Sequence, residues 1–188
     1  MRVFNMYKYL LIILLLSFTV NAETAIEFAS NQTQMKWKGV SHAQYDYNLK
    51  TLGVVYYDED FGVRVAYGKA RPTLPRNGAA IPHLIIELKH SIDVELLYRH
   101  NIYGDTYGHC GVGYYFDNFP ITSTISDYTK DDWDNALGWF IGLDHKMTPN
   151  SSIQATFRHR ASVGAAQSHS GALGSSHNSA GISIRYIF

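Results

Sequence analysis

Nine histidines, one cysteine, and acidic and basic residues in equal number, 16 of each, are the groups in this 188-residue chain able to hold a metal, attack a carbonyl or move a proton. The histidines, His42, His83, His90, His100, His109, His145, His159, His169 and His177, are scattered, and none forms the i, i+4 pair of a helical zinc site. His169 and His177 fall in a Ser/Gly/Ala-rich stretch, 165–180, whose composition is that of a solvated loop. Cys110 stands alone, which excludes an intramolecular disulfide and a cysteine-rich metal site and suits a small buried or lipid-facing residue. No metal and no cofactor is expected. The charged residues, by contrast, are ordered. Lys50, Arg64, Glu87, Lys89, Asp93, Glu95, Arg99, Arg158 and Arg185 fall on the strand face opposite the apolar one, with both signs present. Such a face offers either an ion path or a paired structural network, and the cost of leaving a buried charge unpaired favours the network.

The elements that must carry this face are strands. Phe61, Val63, Val65 and Tyr67 alternate with Gly62, Arg64, Ala66 and Gly68, an apolar face against a small and charged one. Upstream, residues 45–57 alternate in the same way and end at a tight turn, Asp58-Glu59-Asp60. From Leu84 to Ile102 the parity never breaks, with Leu84, Ile86, Leu88, Ile92, Val94, Leu96, Tyr98 and Ile102 on one face, so one long strand is expected rather than a hairpin at His90-Ser91. A Gly- and Tyr-rich strand follows over 107–117. Next comes a polar loop, 118–132, and then a strand with Trp133, Leu137, Trp139, Ile141 and Leu143 outward and Phe140 inward. After the turn at Thr148-Pro149-Asn150, Ile153, Ala155 and Phe157 alternate with Gln154, Thr156, Arg158 and Arg160. A first strand near 24–36 and a last one at 179–188 bring the count to eight.

Short turns at 58–60, 104–106 and 147–150 alternate with longer connections near 37–43, 71–82, 118–132 and 162–178. That alternation is the pattern of an up-and-down transmembrane barrel with its short turns on the periplasmic side. The predicted fold class is therefore all-β, an eight-stranded antiparallel transmembrane β-barrel. A lipocalin-like soluble barrel would turn its apolar face inward, and the two-signed charged face argues against it. Eight strands enclose a lumen just wide enough to be filled by side chains, so a porin is not expected.

The ends agree with this compartment. Arg2 and Lys8 precede an uncharged apolar run from Leu10 to Val20, and Val20-Asn21-Ala22 suits cleavage after Ala22, so residues 1–22 read as an export signal and 23–188 as the barrel domain. The 16 basic residues then lose Arg2 and Lys8, leaving 14 against 16 acidic, a net charge of −2, and nucleic acid is not an expected partner. At the other end Ile182, Ile184, Tyr186 and Phe188 alternate with Ser183, Arg185 and Ile187. A terminal Phe with Tyr two before it resembles the C-terminal signal of bacterial outer-membrane barrels. It implies the Gram-negative outer membrane as location and the barrel-assembly machinery as a partner.

The run Gly142-Leu143-Asp144-His145-Lys146-Met147-Thr148-Pro149-Asn150-Ser151-Ser152-Ile153-Gln154-Ala155-Thr156-Phe157 resembles the penultimate hairpin of small OmpA-like and opacity-like outer-membrane barrels. The resemblance implies a monomeric scaffold, adhesin or surface antigen without a shared active site, acting through its extracellular loops. With nothing after Phe188, an envelope tether of the full OmpA kind is not expected. Lipopolysaccharide and outer-membrane lipid are its implied partners, and Lys69, Arg71 and Arg76 near the outer mouth are placed to meet anionic sugar phosphates.

A second resemblance concerns the same C-terminal layout, which is similar to that of outer-membrane lipid A 3-O-deacylases. There a His near the outer end of the seventh strand, a Ser two residues later and an acid near the end form a hydrolytic triad. It implies His159 and Ser162 as a catalytic pair acting on a lipid ester from within the bilayer. In His159-Arg160-Ala161-Ser162 the serine is one residue late and shares the opposite face unless a bulge intervenes, and no Asp or Glu follows Asp144. The orienting acid is therefore missing, and His177 or Asn178 would be weak substitutes for it.

Overall fold

Residues alternating between lipid and lumen can satisfy their backbone groups only by pairing on both edges, and the chain does so all the way round. The computed structural model describes residues 22–38, 44–72, 84–86, 88–123, 129–163 and 174–188. Its strands are β1 (Ala22–Lys38), β2 (Gln44–Asp58), β3 (Phe61–Pro72), β4 (Leu84–Ile86), β5 (His90–Tyr103), β6 (Thr106–Ser123), β7 (Thr129–Thr148), β8 (Ser151–Ser162) and β9 (Gly174–Ile187). Every pairing is antiparallel, and β1 on β9 together with β6 on β7 closes the ring. The segments β4 and β5 both lie against β6, so nine segments form eight staves, as the alternation implied.

The run 84–102 is one stave but not one unbroken parity. Ile86 pairs with Ile121 and His90 with Asn118, so the stave carries one residue more than β6 between those pairs, a β-bulge, and Leu88 and His90, two residues apart, take opposite faces. Leu88 consequently points into the lumen, 3% exposed, beside Met35, Tyr47, Leu49 and Ala70, while Lys89 is exposed. Both were expected on the opposite faces; Glu87 lies outside the described residues. The expected inward position of Lys50 is also corrected: it is exposed on the outer wall, in line with Leu52, Val54 and Tyr56. Both faces of β2 are largely apolar, so hydropathy could not choose between them. Pairing with β3 does, because Val55 lies opposite the buried Arg64 and shares its face.

The short turns fall where expected, and two of them need left-handed backbone, at Glu59 and Gly104. The long connection expected over 118–132 is mostly strand, since β6 and β7 stay paired out to Thr122 and Thr129. The last strand begins at Gly174 rather than 179, and residues 73–83, including Arg76, lie outside the described set.

Candidate functional site: a filled lumen inside a lipid-facing wall

Parity splits the barrel into two chemically distinct surfaces. Phe28, Leu52, Phe61, Leu96, Val112, Trp139, Ile141, Ile184 and Phe188 are each exposed on the outside, an apolar band that only lipid can solvate favourably. Cys110 is exposed on the same surface.

The inner surface is charged and buried. Glu27 bridges Arg64 (2.7 Å) and Arg185 (2.8 Å), and Glu95 bridges Arg64 (3.1 Å) and Arg158 (2.9 Å). Asp144 holds the far side of Arg185 at 3.0 Å, and Asp93 and Asp117 hold Arg160 at 3.8 and 3.3 Å. Four arginines and five carboxylates from seven strands thus form one connected cluster. Each arginine also reaches a neutral partner: Thr51 for Arg64, Asn31 for Arg158, Tyr47 for Arg160, and Gln154 and Tyr57 for Arg185. Apolar side chains cap the cluster, Met35, Tyr47, Leu49, Ala70 and Leu88 toward the outer mouth and Val55, Tyr57, Leu97 and Phe140 toward the inner one. At the inner rim Glu23 joins Arg99 (2.8 Å) and Lys146 (3.1 Å). The expected inward positions of Arg64, Asp93, Glu95, Arg99, Arg158 and Arg185 agree with this arrangement, and so does inward Phe140.

Sequence reasoning missed Glu27, Asp117 and Asp144 as members of the network, whereas Arg160 lies inward beside Arg158 as its alternation with Ile153, Ala155 and Phe157 implied. For Glu27 the signal was present, since Ile26 and Phe28 alternate with Ala25, Glu27 and Ala29. A plugged lumen carries no hydrated ions. Planar-bilayer recordings of the folded protein are therefore expected to show no conductance steps, and regular steps would contradict the packing described.

The residues proposed for hydrolysis are not brought together. His159 is half-exposed on the outer wall, with its ring 5.8 Å from that of Trp139 and its Nδ1 2.7 Å from Asn178 Oδ1. Ser162 pairs with Ala136, which is buried on the lumen side, and the β7–β8 register runs without a bulge from Ser152 to Ser162. The serine and the histidine therefore stand on opposite faces, and the wall separates them. His109 and His177 are buried in the lumen, the first against Thr156 and Gln154 and the second against Tyr47 at 2.7 Å. Among the described residues no three His, Cys, Asp or Glu side chains converge as metal ligands. His42, His83 and His169 lie outside those residues.

The closed eight-stave ring, apolar outside and ion-paired within, defines a small transmembrane β-barrel of the outer-membrane type. Solved structures agree on the fold. The chain is similar to Neisserial surface protein A, with a TM-score of 0.63 and 15% identity over 85% of this chain and 95% of that one. It is also similar to Ail, the attachment invasion locus protein of Yersinia pestis, solved with the heparin analogue sucrose octasulfate, with a TM-score of 0.51 and 20% identity over 90% of this chain and all of that one. The N-terminal barrel domain of Pseudomonas aeruginosa OprF matches with a TM-score of 0.51 and 14% identity over 87% and 97% of the two chains. No protein-family model and no curated protein sequence matches the chain.

Proposed function

We propose that this barrel is a non-enzymatic surface-interaction protein of the Gram-negative outer membrane that works through its outer end. The observation behind this reading is the length of the β6–β7 ladder. It runs through 17 successive pairs, from Thr106 with His145 to Thr122 with Thr129. At about 3.3 Å per residue and a tilt of roughly 40° it stands about 40 Å tall, whereas the apolar band of such barrels is about 25 Å. The upper part of β6 also pairs with β4, from Leu84 with Ser123 to Ile86 with Ile121, so what projects is a three-stranded sheet on a rigid base. A ladder held on both sides keeps its shape at a distance from the membrane, as a contact surface needs. At the other end Tyr186 and Phe188 face outward, ring against ring, which suits recognition of β9 by an assembly machinery during insertion.

The test shortens the ladder. Residues 119–131 are replaced by a two-residue turn, and retention of cells carrying the parent or the shortened barrel is compared on immobilised host-cell matrix and on layers of the same bacterium. The shortened protein is expected to fold, shown by its heat-dependent gel mobility, and to lose retention on the surface the parent binds. Equal retention with both would overturn the reading.

A further inference from the structure

The apolar band ends, toward the outer mouth, on two consecutive cross-strand rows. In the lower row Phe28, Leu52, Tyr67 and Ile92 of β1, β2, β3 and β5 lie side by side. In the next row up, on the same four strands and the same outer face, stand Ser30, Lys50, Lys69 and His90. Two like charges directly opposite each other across a ladder are destabilising in the absence of a counter-charge. Every lumenal arginine has its carboxylate, but neither Lys50 nor Lys69 makes an ion pair among the described residues. Among the described residues, the nearest carboxylate along β2 on their face, Asp46, is two outward positions above Lys50. The rest of the row is built to donate or accept hydrogen bonds. Ser30 Oγ lies 3.3 Å from Asn48 Oδ1, and His90 stacks on Tyr67 and bonds its hydroxyl through Nδ1. Lys89, exposed in the bulge, adds a third ammonium beside His90.

We infer that Lys50 and Lys69, with His90 and Ser30 flanking them, form a binding site for the phosphate of an outer-leaflet anionic glycolipid of the lipid A type. Its acyl chains would lie down the wall over Phe28, Leu52, Tyr67 and Ile92. The depth selects the ligand. The lysines sit eight residues along their strands from the inner turn at Asp58–Phe61, about 20 Å above it at the usual rise and tilt, where the hydrocarbon gives way to phosphate. A phosphate held between them supplies the missing counter-charge, and a lipid-borne one is delivered at that height. The site lies on the wall, below the projecting sheet, so it goes beyond the proposed contact function and does not depend on it.

The experiment uses the folded barrel in phosphatidylcholine vesicles doped with bisphosphorylated lipid A, its dephosphorylated form or phosphatidylglycerol, and counts the lipid retained after extraction by native mass spectrometry. The parent is expected to retain bisphosphorylated lipid A. The Lys50→Gln/Lys69→Gln double variant is expected to retain it roughly tenfold less, and Lys50→Arg/Lys69→Arg to keep it, because an interfacial cation contributes mainly its charge. Both positions are exposed, and heat-dependent gel mobility checks that each variant is folded. Equal retention by the glutamine variant, or of dephosphorylated lipid A by the parent, would overturn the site. Displacement by inorganic phosphate would overturn the lipid-borne source, and equal retention of phosphatidylglycerol would overturn the glycolipid assignment.

Discussion

Arg64→Met is expected to destabilise the barrel by about 3–5 kcal/mol in urea titrations in lipid vesicles, the cost of stranding buried carboxylates. Arg64 is fully buried, and its guanidinium reaches Glu27 at 2.7 Å, Glu95 at 3.1 Å, Asp93 at 3.4 Å and Thr51 Oγ1 at 3.2 Å. Methionine fills much of the same volume, so the loss is electrostatic rather than a cavity. Of their ion pairs, Glu27 would keep Arg185, Glu95 would keep Arg158 and Asp93 its long contact to Arg160, with the Tyr115 and Ser91 hydroxyls still donating to Glu95 and Asp93. The cluster would then hold five carboxylates against three arginines in a buried, low-dielectric setting. Adding Glu27→Gln should restore part of the loss, and a coupling of about 1 kcal/mol or more in the double-mutant cycle is the signature of a shared network. A midpoint for Arg64→Met equal to the parent's would mean that the network does not hold the staves together.

The second large effect is steric. Gly111→Ala is expected to cost about 2–3 kcal/mol or to lower the folded yield in the same assay, because the added methyl has no room. A Cβ there would fall inside contact distance of the Leu96 carbonyl oxygen and the Phe140 ring, the first fixed in the ladder and the second wedged in the lumen. Phe140→Ala removes only one of the two obstacles, so the double variant should recover less than the full loss. Gly104 supplies the comparison. Its φ is +54° and nothing lies within 4 Å of where a Cβ would stand, so Gly104→Ala should cost only about 1 kcal/mol, for the left-handed backbone. If the two alanine variants proved equally stable, the lumen would be looser than described.

Much of this protein was legible because β-barrels write their solvent into a period of two. Phe61 to Gly68 and Ile182 to Phe188 assign lipid and lumen residue by residue without any knowledge of partners. The alternation failed where both faces of a strand carry similar chemistry or where one residue is added. In β2, Tyr47, Leu49, Val55 and Tyr57 fill the lumen while Leu52, Val54 and Tyr56 meet lipid, and only the pairing of Val55 with Arg64 tells the faces apart. In the stave from Leu84, the bulge at 87–89 is set by how β6 pairs on either side of it, so Leu88 and Lys89 were assigned to the wrong faces. The polar composition of 118–132 suggested a loop, yet pairing with a neighbour turned most of it into ladder.

The sequence by itself determined the solvent of each regular strand whose two faces differ in chemistry, the even stave count and the short inner turns, since these follow from local parity and turn chemistry. Which charges meet was decided only by the closed tertiary structure. Arg185 finds Glu27 because β9 returns to β1, and the row Ser30, Lys50, Lys69 and His90 exists because three registers align. His159 and Ser162 lie close in sequence and yet are kept apart, because an unbroken register assigns neighbouring parities to opposite sides of a wall one strand thick.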